Sequence, residues 1–199
     1  DLPTTCRRQR QMCIRDSAYI EQYSITHSQW VPTMFIRMLK LDEDIRCQYD
    51  LSTHACAIHA AAPCPKEIKQ QMMRWWGPIL WEYYAGTERN GTCVIGPQDW
   101  LAHPGSVGRA YNSVLRICDE SGKELTAGEE GMVYFEQNVR SFEYHNAPDK
   151  TRAATHPIHD NWTSLGDVGY VDEEGFLYLT DRKAYMIISG GVNIYPQDQ

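Results

Sequence analysis

Between positions 25 and 84 the spacing of apolar residues changes repeatedly, and each change marks an element. Residues 25–31 read as a short strand that stops at Pro32, because the residue before a proline is pushed away from helical geometry. Met34, Met38 and Leu41 then recur at i, i+4 and i+7, with Phe35 and Leu39 beside them, which makes one apolar helix face. Residues 56–62 are a second strand-like run of small side chains, ended by Pro63 and Pro65. Residues 66–76 read as a helix stopped by Gly77-Pro78, and residues 79–84 as a third strand. Strand, helix, strand, helix, strand in that order predicts an α/β fold, a parallel sheet with crossover helices.

Beyond about residue 105 the rhythm shifts to short strands punctuated by turns such as Asp119-Glu120-Ser121-Gly122 and Asp172-Glu173-Glu174-Gly175, with one helix-like stretch at 148–154. A small, mostly antiparallel, β-barrel-like subdomain is expected over 105–181, after an α/β part over 18–104. Residues 1–17 lack apolar periodicity and set four arginines against two aspartates, and 11–17 look like translated adapter sequence. They are expected to be a disordered or non-native leader.

Composition narrows the partners. A net charge of −7 over 199 residues argues against a nucleic-acid partner, since binding phosphate backbones takes a basic surface. The longest uncharged stretch, 51–65, is interrupted by His54, His59 and two prolines, and falls short of the roughly 20 apolar residues that span a bilayer. No membrane span or secretory signal is read, so the expected compartment is cytoplasmic. Seven scattered cysteines without a C-x-x-C pair fit reduced thiols.

In open α/β sheets ligands bind beyond the carboxyl ends of the strands. After the second strand, His59-Ala60-Ala61-Ala62-Pro63 offers three side chains no larger than methyl. A flat ring could approach such a backbone, and a tightly packed strand end explains it as well. After the third comes Tyr83-Tyr84-Ala85-Gly86-Thr87-Glu88. An aromatic can stack on a base, a hydroxyl can bond a phosphate oxygen, and a carboxylate is the hard ligand Mg²⁺ prefers; an ordinary loop is the alternative. In Ser164-Leu165-Gly166-Asp167-Val168-Gly169 and Asp181-Arg182-Lys183, Asp167 could accept both ribose hydroxyls and Arg182 offers a planar fork of donors, although Gly-Asp-Val-Gly is also a common turn. Gly190-Gly191 permits a close ligand approach or a hairpin. The His54-x-Cys56-x-x-His59 and His156-x-x-His159 pairs are poor zinc candidates, and no G-x-S-x-G elbow supports a hydrolase. The six tryptophans read mainly as core and pocket walls.

Taken in order, Val31-Pro32-Thr33, Ala60 to Pro63, Tyr84 to Glu88, Gly105-Ser106-Val107-Gly108-Arg109, Gly166-Asp167, Asp181-Arg182-Lys183 and Gly190-Gly191-Val192-Asn193-Ile194-Tyr195-Pro196 resemble the adenylate-forming superfamily of acyl-CoA synthetases, luciferases and adenylation domains. The last two blocks look most like fatty-acyl-CoA ligases. The resemblance implies that a small-molecule carboxylic acid, ATP and coenzyme A are converted through acyl-AMP, with Mg²⁺ as the metal. It places Ala61, Ala62 and Tyr84 around adenine, Thr87 on phosphate, Glu88 on Mg²⁺, and Asp167 and Arg182 on the ribose. Thr87 and Glu88 take the catalytic roles, Gly190 and Gly191 shape the passage for the pantetheine arm, and Trp30, Val31 and Met34 border the acyl pocket. Residues 182–199 become a hinge and the start of a truncated C-terminal α+β domain. Ala85 and Ala184 depart from the family pattern, and no Ser/Thr/Gly-rich phosphate loop ending in lysine occurs in the 199 residues. An internal, inactive fragment is expected. The alternatives are an adenylation domain that loads a carrier protein and a non-catalytic AMP-binding module.

Overall fold

The computed structural model describes residues 4–182, 187–189 and 192–194, with side chains from Cys13 to Thr180. Contacts divide the chain into two compact units. The first holds the residues through Glu82 with Gly96–Gln98, and the second is built mainly from Tyr83–Ile95 and Asp99–Ile187.

The first unit opens with helix α1 (Thr4–Gln22), which runs through most of the segment expected to be a disordered or non-native leader. Cys13, Ser17 and Ile20 are buried on this helix. Their spacing of four and three residues is a helical stripe, but a cysteine and a serine carry so little apolar signal that it does not stand out in the sequence. Strand β1 (His27–Trp30), helix α2 (Pro32–Leu39), a single helical turn α3 (Glu43–Arg46), β2 (Cys56–His59), α4 (Lys66–Trp76) and β3 (Leu80–Ala85) follow. β1 pairs with β2 in parallel, His27 opposite Cys56 and Trp30 opposite His59, and β2 pairs with β3 in parallel, Ala57 opposite Leu80 and His59 opposite Glu82. This is the predicted parallel arrangement with crossover helices.

Its core is aromatic and sulfur-rich. Phe35 and Met38 on α2, Met72 on α4 and Leu80 on β3 are completely buried, each side chain contributing about 1.5–3 kcal/mol relative to exposure. The Trp30 and Trp76 rings lie 5.1 Å apart, and Trp76 meets Phe35 edge-on at 5.8 Å. Pro32 starts α2 at a position where its missing N–H costs nothing. α4 ends at Gly77, whose φ of +83° is the left-handed geometry that glycine adopts without strain.

The second unit contains the end of β3, β4 (Thr92–Ile95), helix α5 (Pro97–Ala102) from Asp99 onward, β5 (Arg109–Ala110), β6 (Val114–Cys118), β7 (Gly131–Glu136), α6 (Pro148–Ala153), β8 (Trp162–Thr163), β9 (Asp167–Val171) and β10 (Leu177–Arg182). β4 and β5 are antiparallel, and a second antiparallel sheet has the order β10-β9-β7-β6 with β8 beside β7. Cys93, Val107, Ile117, Val133, Phe135 and Leu177 form its core. The sequence places the change of character near residue 105, but residues 83–95 belong with the β-rich unit because β4 pairs with β5 and Gly91 packs directly under the Phe135 ring.

The Gly105-to-Arg109 motif has a structural task in this unit. The Ser106 hydroxyl donates to the Leu177 carbonyl at 2.8 Å and accepts from Gly108 N–H at 3.0 Å. Gly108, at φ +100°, lies against the Val94 carbonyl, where any Cβ would collide. The motif ties β10 to the β4–β5 pair. Strands β11 (Ile187–Ser189) and β12 (Val192–Ile194) make a two-stranded sheet on either side of Gly190 and Gly191, and those glycines lie outside the described residues. Among the described residues no helix is long and apolar enough to cross a membrane.

Candidate functional site

The second unit gathers four of the candidate residues through contacts distant in sequence. Asp167 opens β9 and is buried, with 4% of its surface exposed. The Tyr84 hydroxyl donates to its Oδ2 at 2.5 Å, and the half-buried Tyr84 ring stands 6.1 Å from Phe135. Three residues past the end of β3, Glu88 is held from two sides. Tyr144 OH donates to Oε1 at 3.0 Å and Thr87 Oγ1 to Oε2 at 3.3 Å. Thr87 is exposed and Glu88 half-buried.

The loop between them is fixed by its neighbours. A side chain at Gly86 would strike Leu165 and the Glu88 carboxylate, so the residue before Thr87 must be bare. Gln137 Nε2 donates to the Asn90 carbonyl at 2.7 Å, and the buried Asn90 amide reaches the Thr163 carbonyl at 3.5 Å. Gly166, at φ +81°, makes the turn before Asp167, with its N–H on Ser164 Oγ at 3.0 Å. In the β9–β10 ladder Arg182 is the backbone partner of Asp167, and the Arg182 side chain lies outside the described residues.

The other candidates belong to the first unit. Ala61 and Ala62 follow the end of β2, which stops at His59 rather than at 62. Ala61 is exposed and has a φ of +72°, a left-handed conformation that costs a residue with a Cβ roughly 1–2 kcal/mol. Val31 and Met34 are half-buried. Trp30 is part of the aromatic core, with its indole N–H donating to Ser28 Oγ at 2.5 Å. Trp81, expected among core and pocket walls, is 41% exposed and covers Gly96.

Two features escaped the sequence reading. Tyr144, the partner of Glu88, is 56 residues away from it, and nothing local marks it. In the first unit, α4 buries Lys69 on the same face as Met72, Met73 and Trp76. Lys69 Nζ donates to Glu82 Oε2 at 2.6 Å, and His59 Nε2 lies 3.5 Å from the same oxygen. Burial lowers the Lys69 pKa and raises that of Glu82, each toward its neutral form, while their mutual attraction opposes both shifts. Burial, with the nearby Lys69 charge, depresses His59 to about 3, and burial pushes the Cys64 thiol up to about 12. His59 is thus neutral and Cys64 an unreactive thiol near neutral pH.

His54 is committed to Ser28, 2.6 Å from Nε2 to Oγ, and no group of three or more metal-ligating side chains occurs among the described residues. The Glu88 carboxylate nonetheless fits Mg²⁺, which takes one or two carboxylates and completes its shell with water and substrate phosphates.

A family model described as AMP-binding enzyme matches residues 4–141. The chain belongs to this family. It is 34% identical over 181 residues to a long-chain-fatty-acid–CoA ligase of Bacillus subtilis (strain 168), covering 90% of this chain and 31% of the relative. A 2-succinylbenzoate–CoA ligase of Bacillus cytotoxicus is 34% identical over 146 residues, 73% of this chain and 30% of the relative. Among solved structures, o-succinylbenzoate coenzyme A synthetase from Bacillus subtilis in complex with AMP superposes with a TM-score of 0.69 at 26% identity, over 93% of this chain and 37% of that one. The chain therefore spans about a third of the length of the relatives it matches, and the relatives named here are CoA ligases.

Proposed function

We propose that the chain carries the adenosine-binding part of an ATP-dependent acyl-CoA ligase. The observation behind this reading is the pairing of Tyr84 with Asp167 beside the Thr87–Glu88–Tyr144 group in one compact unit. Tyr84 supplies an aromatic face for adenine, and Ala61 and Ala62 are small-residue candidates for contact with the base. Asp167 holds the ribose hydroxyls together with Arg182, Thr87 bonds phosphate, and Glu88 holds Mg²⁺, which neutralises phosphate charge when bound.

The reaction is attack of a carboxylate on the α-phosphate, releasing pyrophosphate and leaving acyl-AMP, followed by displacement of AMP by the coenzyme A thiol. It needs two reactants held in line and charge on the phosphate neutralised, tasks of positioning and electrostatics. The Tyr84–Asp167 bond suits positioning, since each partner restrains the other's rotamer. The CoA ligases among the relatives favour coenzyme A over a carrier protein as acceptor, and the acid is apolar, fatty or aromatic. Gly190 and Gly191 serve the pantetheine arm, and Val31, Met34 and Trp30 serve the acyl side. The 199-residue chain by itself binds nucleotide without turnover.

The reading is tested by titrating AMP into isotope-labelled chain. Amide shifts at Tyr84, Thr87 and Asp167 in the wild type, weakened at least tenfold by Asp167→Ala, are expected; unchanged binding in the variant would sink it. For the whole enzyme, release of CoA-thiol signal should follow fatty or aromatic acids, and a strong preference for amino acids would defeat the ligase assignment.

A further inference from the structure

An open cleft of about 1130 Å³ lies in the second unit, with Gly86, Arg89, Asn112, Ser113, Asn138 and Ser141 among its lining residues. Arg89 is the single cation among the lining residues described. The carboxylate there, Glu136, already accepts two bonds from Arg116, at 2.9 and 2.8 Å, so its charge is matched. No acceptor among the described residues engages the Arg89 guanidinium.

The backbone of Arg89 is nonetheless fixed. Its N–H bonds the Gly86 carbonyl at 3.1 Å, its carbonyl accepts from Gln137 Nε2 at 3.2 Å, and its φ is +59°. A non-glycine residue in this conformation is strained by roughly 1–3 kcal/mol, and such strain persists where surrounding contacts impose it.

We propose that this cleft is an anion subsite, in which Arg89 binds a phosphate group of a substrate and Asn112 and Asn138 supply neutral donors around it. A guanidinium presents paired N–H groups that match two phosphate oxygens. The cleft begins at Gly86, next to Thr87 and Glu88. The phosphate therefore comes from the same ligand as the adenosine site or from the second, phosphate-bearing substrate. The inference deepens the nucleotide reading above, on which the identity of the phosphate donor rests.

The test uses the 199-residue chain with three probes followed by amide shifts: inorganic pyrophosphate, adenosine 3′,5′-bisphosphate and adenosine. Pyrophosphate or the bisphosphate should move Arg89, Asn112 and Asn138, and the tighter of the two identifies a triphosphate tail or the coenzyme A nucleotide as the source. Arg89→Gly removes the guanidinium and relieves the left-handed strain. It should keep or raise Tm while weakening anion binding at least tenfold and leaving adenosine unchanged; Arg89→Lys should lose less. Anion affinity unaltered in Arg89→Gly, or no shift at these residues with either anion, overturns the proposal. Anion binding through Arg89 without adenosine binding would remove the nucleotide reading and leave the subsite standing.

Discussion

The Tyr84 hydroxyl meets Oδ2 of Asp167 at 2.5 Å across 83 residues of sequence, joining the end of β3 to the start of β9. Hydrogen bonds to a charged group contribute about 1.5–3 kcal/mol. Tyr84→Phe should therefore destabilise the chain by about 1–3 kcal/mol in urea titration and weaken AMP severalfold. Full retention of both properties would show that the pair neither braces the fold nor shapes the site.

The Lys69–Glu82 pair has the energetics of buried charge. Removing one partner leaves the other desolvated, at about 3–5 kcal/mol, whereas replacing both with apolar side chains is often neutral. Lys69→Met should cost several kcal/mol by denaturation, and Lys69→Met with Glu82→Leu should recover most of it. A double variant as unstable as the sum of two singles would contradict this account.

His59 predicts a pH dependence. Its folded pKa of about 3 lies below its unfolded value of about 6.5, so the unfolded chain binds the extra proton. Stability is full above pH 6.5 and falls as acid is added toward pH 3, by at most about 1.4 kcal/mol per pH unit. The groups around the ring are Glu82 and Lys69. His54 and His156 are also depressed by burial, so the measurement is the difference between wild type and His59→Leu. The variant should lose less stability between pH 7 and pH 5, and parallel curves would exclude His59 as a source.

Ala61, at φ +72°, should be improved by glycine. Relief of roughly 1–2 kcal/mol of strain outweighs the 0.4–1 kcal/mol, approximately, by which glycine's extra freedom favours the unfolded chain. Ala61→Gly should raise the urea midpoint modestly. Gly77→Ala, at φ +83° with nothing near its would-be Cβ, should lower it for the opposite reason.

The parallel strands, α2 and α4 were legible because their side chains repeat at the period of the element they form. The bounds of α4 were read to the residue from Pro65 and Gly77. α1 was missed because a Cys–Ser–Ile stripe has little hydrophobic contrast, and α5 and α3 are too short for a period to show. The residue types of the site, Tyr84, Thr87, Glu88 and Asp167, were named from chemistry and order along the chain.

The sequence by itself determined local geometry and the inventory of reactive groups, since propensity, proline and glycine positions and apolar period act over a few residues. Only the tertiary structure decided which groups meet: Tyr84 with Asp167, Tyr144 with Glu88, Lys69 with Glu82. Those meetings depend on strand register and on burial, which are properties of the whole packed unit. They turn an exposed-looking lysine into half of a buried pair and a plain tyrosine into the hydrogen-bond partner of a carboxylate 56 residues away.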